Sequence, residues 1–334
     1  MKYRVLGKSG LKVSEVSLGC WAIGGPSWLW IKGLPSGWTG NDDAESLKGL
    51  RRAYDLGINH LDTADVYGDG HSERLIGKFL KEVPRDRVVV ASKAGWFKGT
   101  SRHAFHPLHL RHQLEQTLDN LGTDHVDIYY FHHADFGESD AYLSGAAEIV
   151  HRAKKEGKVR AVGQSAYSFD EFSRVAPATR PEVIQFEYNA LDATYDAPGS
   201  DLFAWAESQN LGIVLFSPFA KGLLLDKYDP ENPPRFGEGD VRGRGEGWTR
   251  ETLLELKEKL KAVKARYGTT TADLARAALK YCLARSPLAV AIPGFKNAAQ
   301  VEANAAASGG PAFTADDLAF IRSALKRGRS SQVQ

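Results

Sequence analysis

Eight short apolar runs alternate with helical patterns through most of this 334-residue chain. The strand-like runs are 15–18, 58–62, 88–92, 126–131, 159–163, 183–187, 212–216 and 289–292. Segments with a period near 3.6 follow at 43–56, 72–82, 108–121, 142–156, 169–176, 200–209, 272–285 and 298–307. Runs such as Val88-Val89-Val90-Ala91 and Ile213-Val214-Leu215-Phe216 are apolar at successive positions rather than at every second one. Both faces of each strand must therefore be covered, as in a parallel sheet wrapped by helices. Eight alternations predict an α/β fold, a (β/α)8 TIM barrel, with residues 1–334 forming one domain. A doubly wound sheet would more often carry a glycine-rich fingerprint after its first strand, and none is present.

The remaining segments decorate this frame. Residues 2–14 turn around Lys8-Ser9-Gly10, which predicts an N-terminal β-hairpin over the barrel bottom. Gly24 to Asn41 reads as a long loop, and 226–250, with five glycines and four arginines, as a mobile one. An extra helix is expected over 251–266. Gly57, Gly122, Gly157 and Gly212 are placed to end helices in the left-handed conformation. Glu15-Val16-Ser17-Leu18 is the weakest strand by composition.

A net charge of +2, with both signs mixed along the chain, excludes the basic tract of a nucleic-acid or anionic-membrane partner. The two isolated cysteines exclude a disulfide framework and zinc spacing. Residues 1–20 lack the apolar core of a secretory signal, and no run approaches the roughly 20 apolar residues of a membrane helix. A cytoplasmic protein is expected, its assembly state open.

In a barrel of parallel strands the C-terminal strand ends converge on one face. Asp62, Lys93 and His132 stand at or just past three such ends, and Tyr67 lies on the first of the following loops. A phenol releases its proton near pH 10, and an adjacent Lys93 ammonium is expected to lower that value. Asp62 would hold the lysine, while His132 would donate a hydrogen bond or relay a proton. This set suits carbonyl reduction, where oxygen needs a proton while carbon receives hydride. No side chain supplies hydride, so a nicotinamide cofactor is implied. Taken singly, Asp62 is a strand-end cap, Tyr67 a half-buried aromatic and Lys93 a solvated charge. His132 and His133 read as packing, or with Asp62 as a metal site in a barrel hydrolase.

The chain resembles the aldo-keto reductase family over nearly its whole length. The resemblance is carried by Gly57-Ile58-Asn59-His60-Leu61-Asp62-Thr63-Ala64-Asp65-Val66-Tyr67-Gly68, then Ser92-Lys93, then Asp127-Ile128-Tyr129-Tyr130-Phe131-His132. Phe216-Ser217-Pro218-Phe219-Ala220-Lys221-Gly222-Leu223-Leu224 follows, and Ile292-Pro293-Gly294 with Gln300-Val301-Glu302-Ala303-Asn304 completes it. The resemblance implies an NAD(P)H-dependent barrel whose catalytic tetrad is Asp62, Tyr67, Lys93 and His132. It also implies Ser165 and Gln185 at the nicotinamide carboxamide, Phe216 stacked on the ring and Trp21 beside it. Ser217, Phe219 and Gly222 would face the diphosphate; Gly294, Lys296, Gln300 and Asn304 would hold the adenosine end.

The chain departs from the family's common pattern at Ala166, where members often have Asn, and at Gln300 and Ala303, where many have Arg and Glu. Losing the arginine weakens the case for a 2′-phosphate and Lys296 partly restores it, so NADPH is favoured modestly, with NADH as the alternative. A small-molecule carbonyl substrate is expected, with Trp21, Trp28, Trp30, Trp38 and Trp96 near the barrel mouth to face a sugar or an aromatic aldehyde. The second reading is a nucleotide-binding regulatory subunit with little turnover, as in potassium-channel auxiliary proteins of the family. The absence of a long N-terminal extension weighs against it.

Overall fold

The computed structural model describes residues 1–334 except 30–32, 193, 197, 198, 200, 246 and 327–334. Strands β1 (Tyr3–Val5) and β2 (Lys12–Ser14) pair antiparallel as the N-terminal hairpin. After β3 (Leu18–Gly19), a small antiparallel pair, β4 (Trp28–Leu29) and β5 (Leu34–Pro35), stands in the segment expected to be plain loop. The barrel continues with β6 (His60–Asp62), β7 (Val89–Ala94), β8 (Val126–Phe131), β9 (Val159–Ser165), β10 (Val183–Glu187), β11 (Gly212–Phe216) and β12 (Ala289–Ala291). All eight barrel strands run parallel in chain order. Parallel bridges Val16 to Ala291 and Gly19 to Gly294 bring the last strand back to the first.

The first strand is shorter than expected. Val16 keeps only that single bridge, and regular pairing starts at Leu18. The hairpin does plug the bottom: Leu6, Leu11 and Val13 are buried against the inward side chains Val89, Ala91, Ile128, Tyr130, Ala161, Val183, Val214 and Val290. Stacked β-branched residues and a tyrosine fill the barrel as a core, so ligands reach only its rim.

Helices α1 (Asp43–Asp55), α2 (His71–Leu80), α3 (Pro107–Leu121), α4 (Leu143–Lys155), α5 (Phe169–Thr179) and α6 (Leu202–Ser208) wrap the first part of the sheet. The expected start of α6 at 200 lies outside the described residues. The extra helix is α7 (Arg250–Tyr267), followed by α8 (Thr271–Leu283) and α9 (Ala298–Ala305). A last helix, α10 (Ala315–Leu325), starts with a Thr314–Asp317 capping box, buries Ile321 and Leu325, and lies beyond the eight expected helical repeats. Gly57, Gly122 and Gly157 adopt positive φ at helix ends, but Gly212 does not. Asn210 takes the left-handed turn there, and Gly212 begins β11, where a side chain would strike Leu6 at 2.7 Å.

Candidate active site

Asp62 ends β6, Lys93 lies near the end of β7, and His132 follows β8 directly. Tyr67 rides on the loop between β6 and α2. Its placement depends on close backbone packing: Gly68 has φ +62°, and a β-carbon there would lie 1.8 Å from the Gly24 carbonyl oxygen. Only glycine lets these two loops touch so closely, and their contact fixes the phenol at the rim.

Lys93 is fully buried, so its charge must be met by protein. The ammonium donates to Asp62 Oδ1 at 2.5 Å, to the Thr63 carbonyl at 2.7 Å and to the Tyr67 hydroxyl at 3.3 Å. These three acceptors match its three N–H donors. Asp62 Oδ2 in turn accepts from Gln185 Nε2 at 2.7 Å. The imidazole of His132 packs edge-on to Tyr67 with ring centroids 5.9 Å apart.

The electrostatics correct one expectation. Burial pushes the Tyr67 phenol well above its ordinary value, and the Asp62 charge pushes the same way. The ammonium contact therefore does not win: its positive charge is matched by a carboxylate at shorter range. Tyr67 is a neutral phenol that retains its proton. His132 is driven well below the usual imidazole value by burial and then by Lys93, so it is neutral too. Its Nδ1 is buried without a protein partner.

A cavity of about 640 Å³ opens over this cluster. Asp62, Tyr67 and His132 line it, with Lys93 behind them. All eleven residues expected at a cofactor also line it: Trp21, Ser165, Gln185, Phe216, Ser217, Phe219, Gly222, Gly294, Lys296, Gln300 and Asn304. Phe216 combines two roles, since it also packs against the barrel interior. Gln300 caps locally, accepting from the Lys296 backbone N–H at 2.9 Å. Lys296 is not a solvated charge: its ammonium donates to the Thr39 carbonyl. Burial first and Arg242 second lower its pKa to about 8.

Several cavity residues went unnoticed in the sequence. Lys221, Lys227, Arg242 and Arg244 join Lys296 in lining the cavity, and Arg242 and Lys227 are close enough to lower the Lys296 pKa. The arginine-rich 226–250 segment is the available signal, although its glycines predict a mobile loop. Instead Asp240 and Arg242 are buried in it as a hub. Asp240 accepts from the Thr39 backbone and hydroxyl, both at 2.8 Å, and pairs with the Arg242 guanidinium at 2.9 and 2.7 Å. That guanidinium lies 4.3 Å from the Trp38 ring centre and 4.2 Å from that of Phe236. Burial raises the Asp240 pKa, but the Arg242 and Thr39 hydrogen bonds outweigh it and bring the value to about 2. Two segments 200 positions apart, 24–41 and 226–250, are thus clasped together beside the cavity.

Of the tryptophans, Trp21, Trp38 and Trp96 line the cavity; Trp28 packs beside Gly239, and Trp30 lies outside the described residues. The metal alternative finds its groups engaged elsewhere, with Asp62 on Lys93 and Gln185 and His133 Nε2 on the Gly95 carbonyl at 2.8 Å. Among the described residues no cluster of three or more His, Cys, Asp or Glu side chains is arranged to hold a metal ion. No described helix is long and apolar enough to cross a membrane.

The model of the aldo/keto reductase family matches residues 15–326, and the chain belongs to that family. It is 31% identical to the L-galactose dehydrogenase of Arabidopsis thaliana over 317 residues, covering 92% of this chain and 88% of the relative. It is 28% identical to the NADH-specific methylglyoxal reductase of Escherichia coli (strain K12), covering 92% and 93%. The solved holo form of an aldo-keto reductase from Bacillus halodurans superposes with a TM-score of 0.76 at 25% identity, over 99% of both chains. Family, fold and relatives together make this an oxidoreductase of the kind that uses NAD(P)H on carbonyl substrates.

Proposed function

We propose that the chain reduces aldehydes or ketones to alcohols, with Tyr67 as the proton donor and NADPH favoured over NADH. The observation that carries this reading is a neutral phenol held 3.3 Å from a buried ammonium, on the wall of a cavity that several cations also line. A bound nicotinamide would supply hydride to the carbonyl carbon. Tyr67 would deliver its proton to the carbonyl oxygen as charge grows there, and Lys93 would stabilise the phenolate left behind. The neutral His132 ring would offer that oxygen a second hydrogen bond. Asp62 would keep the ammonium aimed at the phenol.

The donor set fits a dinucleotide. Ser217 and Lys221 have φ of 54° and 56°, and such left-handed backbone turns N–H groups toward an anion. Lys221, Lys227, Arg242, Arg244 and Lys296 in the lining would add positive charge for phosphates. Trp21, Ser165, Gln185 and Phe216 would meet the nicotinamide; Gly294, Gln300 and Asn304 would meet the adenosine. The several cations support NADPH, even though one relative's name specifies NADH. A cytoplasmic setting is proposed as well, where reduced thiols such as the buried Cys20 and Cys282 are the rule.

The test follows NADPH oxidation with a carbonyl panel, comparing the wild type with Tyr67→Phe. Loss of about 10²–10⁴ in kcat with cofactor binding retained is expected for removal of a general acid. Equal rates in both would refute the role of Tyr67. Tight cofactor binding without turnover on any carbonyl would favour the regulatory-subunit reading.

A further inference from the structure

The mouth of the cavity carries more chemistry than the reaction needs. Leu29 and Leu34, paired across the small β4–β5 hairpin, both line the cavity while remaining half-buried. Beside them the rings form an unbroken chain. Trp38 meets Trp21 edge-on at 5.6 Å between centroids, and Trp21 stacks on Tyr67 at 5.9 Å. On the other side of the tetrad, Trp96 lies 6.1 Å from His132.

Several polar groups of this wall are already committed. The Trp21 indole N–H donates to the Ser36 carbonyl at 2.8 Å, and the Ser36 and Ser27 hydroxyls bond each other at 3.1 Å. Gln185 is held by Asp62. The hairpin is also fixed in place: the Gly37 N–H donates to Gly239 O at 2.9 Å, the Val241 N–H to Gly37 O at 2.9 Å, and Arg244 to Pro35 O at 3.4 Å.

We infer that Leu29 and Leu34, with Trp21, Trp38 and Trp96, select carbonyl substrates bearing a flat or extended apolar group, aryl-substituted aldehydes above all, over polyhydroxylated sugars. This rests on the reductase reading above and departs from the sugar named for one relative. A polyol entering here would exchange water for indole and isobutyl surface, which offers its hydroxyls fewer hydrogen-bond partners than water does. An aryl group would bury the two leucines and stack between rings at no such cost.

The test measures kcat/KM with NADPH for 3-phenylpropanal, glyceraldehyde and D-xylose, in the wild type, in Leu29→Asn/Leu34→Asn and in Leu29→Met/Leu34→Met. The wild type is expected to prefer 3-phenylpropanal. The asparagine pair should lower the ratio of 3-phenylpropanal to glyceraldehyde by roughly 10–100-fold, the scale on which apolar pocket contacts discriminate, and the methionine pair should restore most of it. NADPH fluorescence on binding reports that each variant is folded. Preference of the wild type for glyceraldehyde or xylose would overturn this inference and leave the reductase reading standing. A ratio unchanged in the asparagine pair would overturn the assignment to the leucines. No turnover on any of the three would overturn both.

Discussion

Asp65 lies between Asp62 and Tyr67 in sequence, and its backbone N–H donates to the Lys93 carbonyl at 3.2 Å. The residue is 5% exposed, and its carboxyl accepts one bond from Gln113 at 3.0 Å through Oδ2 and leaves Oδ1 without a partner. Burial, reinforced by the charge of Glu73, raises its pKa from 3.8 to about 8. Glu73 is raised as well, by burial, although Ser92 and Asn120 oppose the shift. The folded protein therefore keeps a proton on Asp65 at neutral pH while the unfolded chain releases it. For an acid whose folded pKa is raised, the associated stability is fully present below the unfolded value. It is lost as pH rises toward the folded value, here from about 4 to about 8.

Within that window one extra proton held by the folded state costs about 1.4 kcal/mol of stability per pH unit. Between pH 5 and pH 7 the loss attributable to Asp65 is thus about 3 kcal/mol. Asp65→Asn keeps an acceptor for Gln113 and removes the titration. The assay is urea unfolding of both proteins at half-unit steps from pH 5 to pH 7. The wild type should lose stability with a slope steeper than the variant's by about 1.4 kcal/mol per unit, the residual slope including Glu73. Parallel slopes would refute the claim that Asp65 is protonated in the folded protein. A variant with the steeper slope would reverse the sign of the argument.

Lys93→Met should leave Asp62 as a buried carboxylate without its cation and cost about 3–5 kcal/mol of stability, whereas Lys93→Met/Asp62→Leu should regain much of that loss without regaining turnover. Denaturant melts with activity on the same samples check this, and a double variant no more stable than the single one would contradict it. Asp240→Ala should open the clasp between 24–41 and 226–250, because Arg242 loses its buried partner. Tryptic cleavage after Arg235 or Arg244 should rise at least about tenfold, and an unchanged rate would refute the hub. In the wild type the carboxylate is depressed, so its stabilisation is present above pH 3.8 and lost as pH falls through about 2. Lys296→Ala should weaken NADPH binding by roughly 10–100-fold, as for a charge-assisted hydrogen bond, with a much smaller effect on NADH. Equal losses for the two cofactors would place Lys296 away from the 2′-phosphate.

The barrel was legible in the chain because its determinants are local. Continuous apolar runs and a 3.6-residue period each report burial within a dozen residues, and eight repetitions leave few architectures open. The same logic put Asp62, Lys93 and His132 on one rim, since position at a strand end is a one-dimensional fact in this fold. The short β3 and the unforeseen α10 mark where local patterning thins out: two paired residues make a strand only because Leu61 and Asp62 lie alongside.

What only the tertiary structure decided is a matter of distance and burial between remote residues. The convergence of strand ends at the rim argued for a Lys93 ammonium beside an acidic Tyr67, but the balance turned on how deeply the phenol is buried and on Asp62 lying nearer to Lys93 than the phenol does. The Thr39–Asp240 contact, which turns two apparent loops into one clasp, has no local signature, because hydrogen bonds between segments 200 positions apart leave no period in either. Local pattern selected the scaffold and the rim. Charge balance and the mix of cations and apolar side chains lining the cavity arose when distant segments were brought into contact.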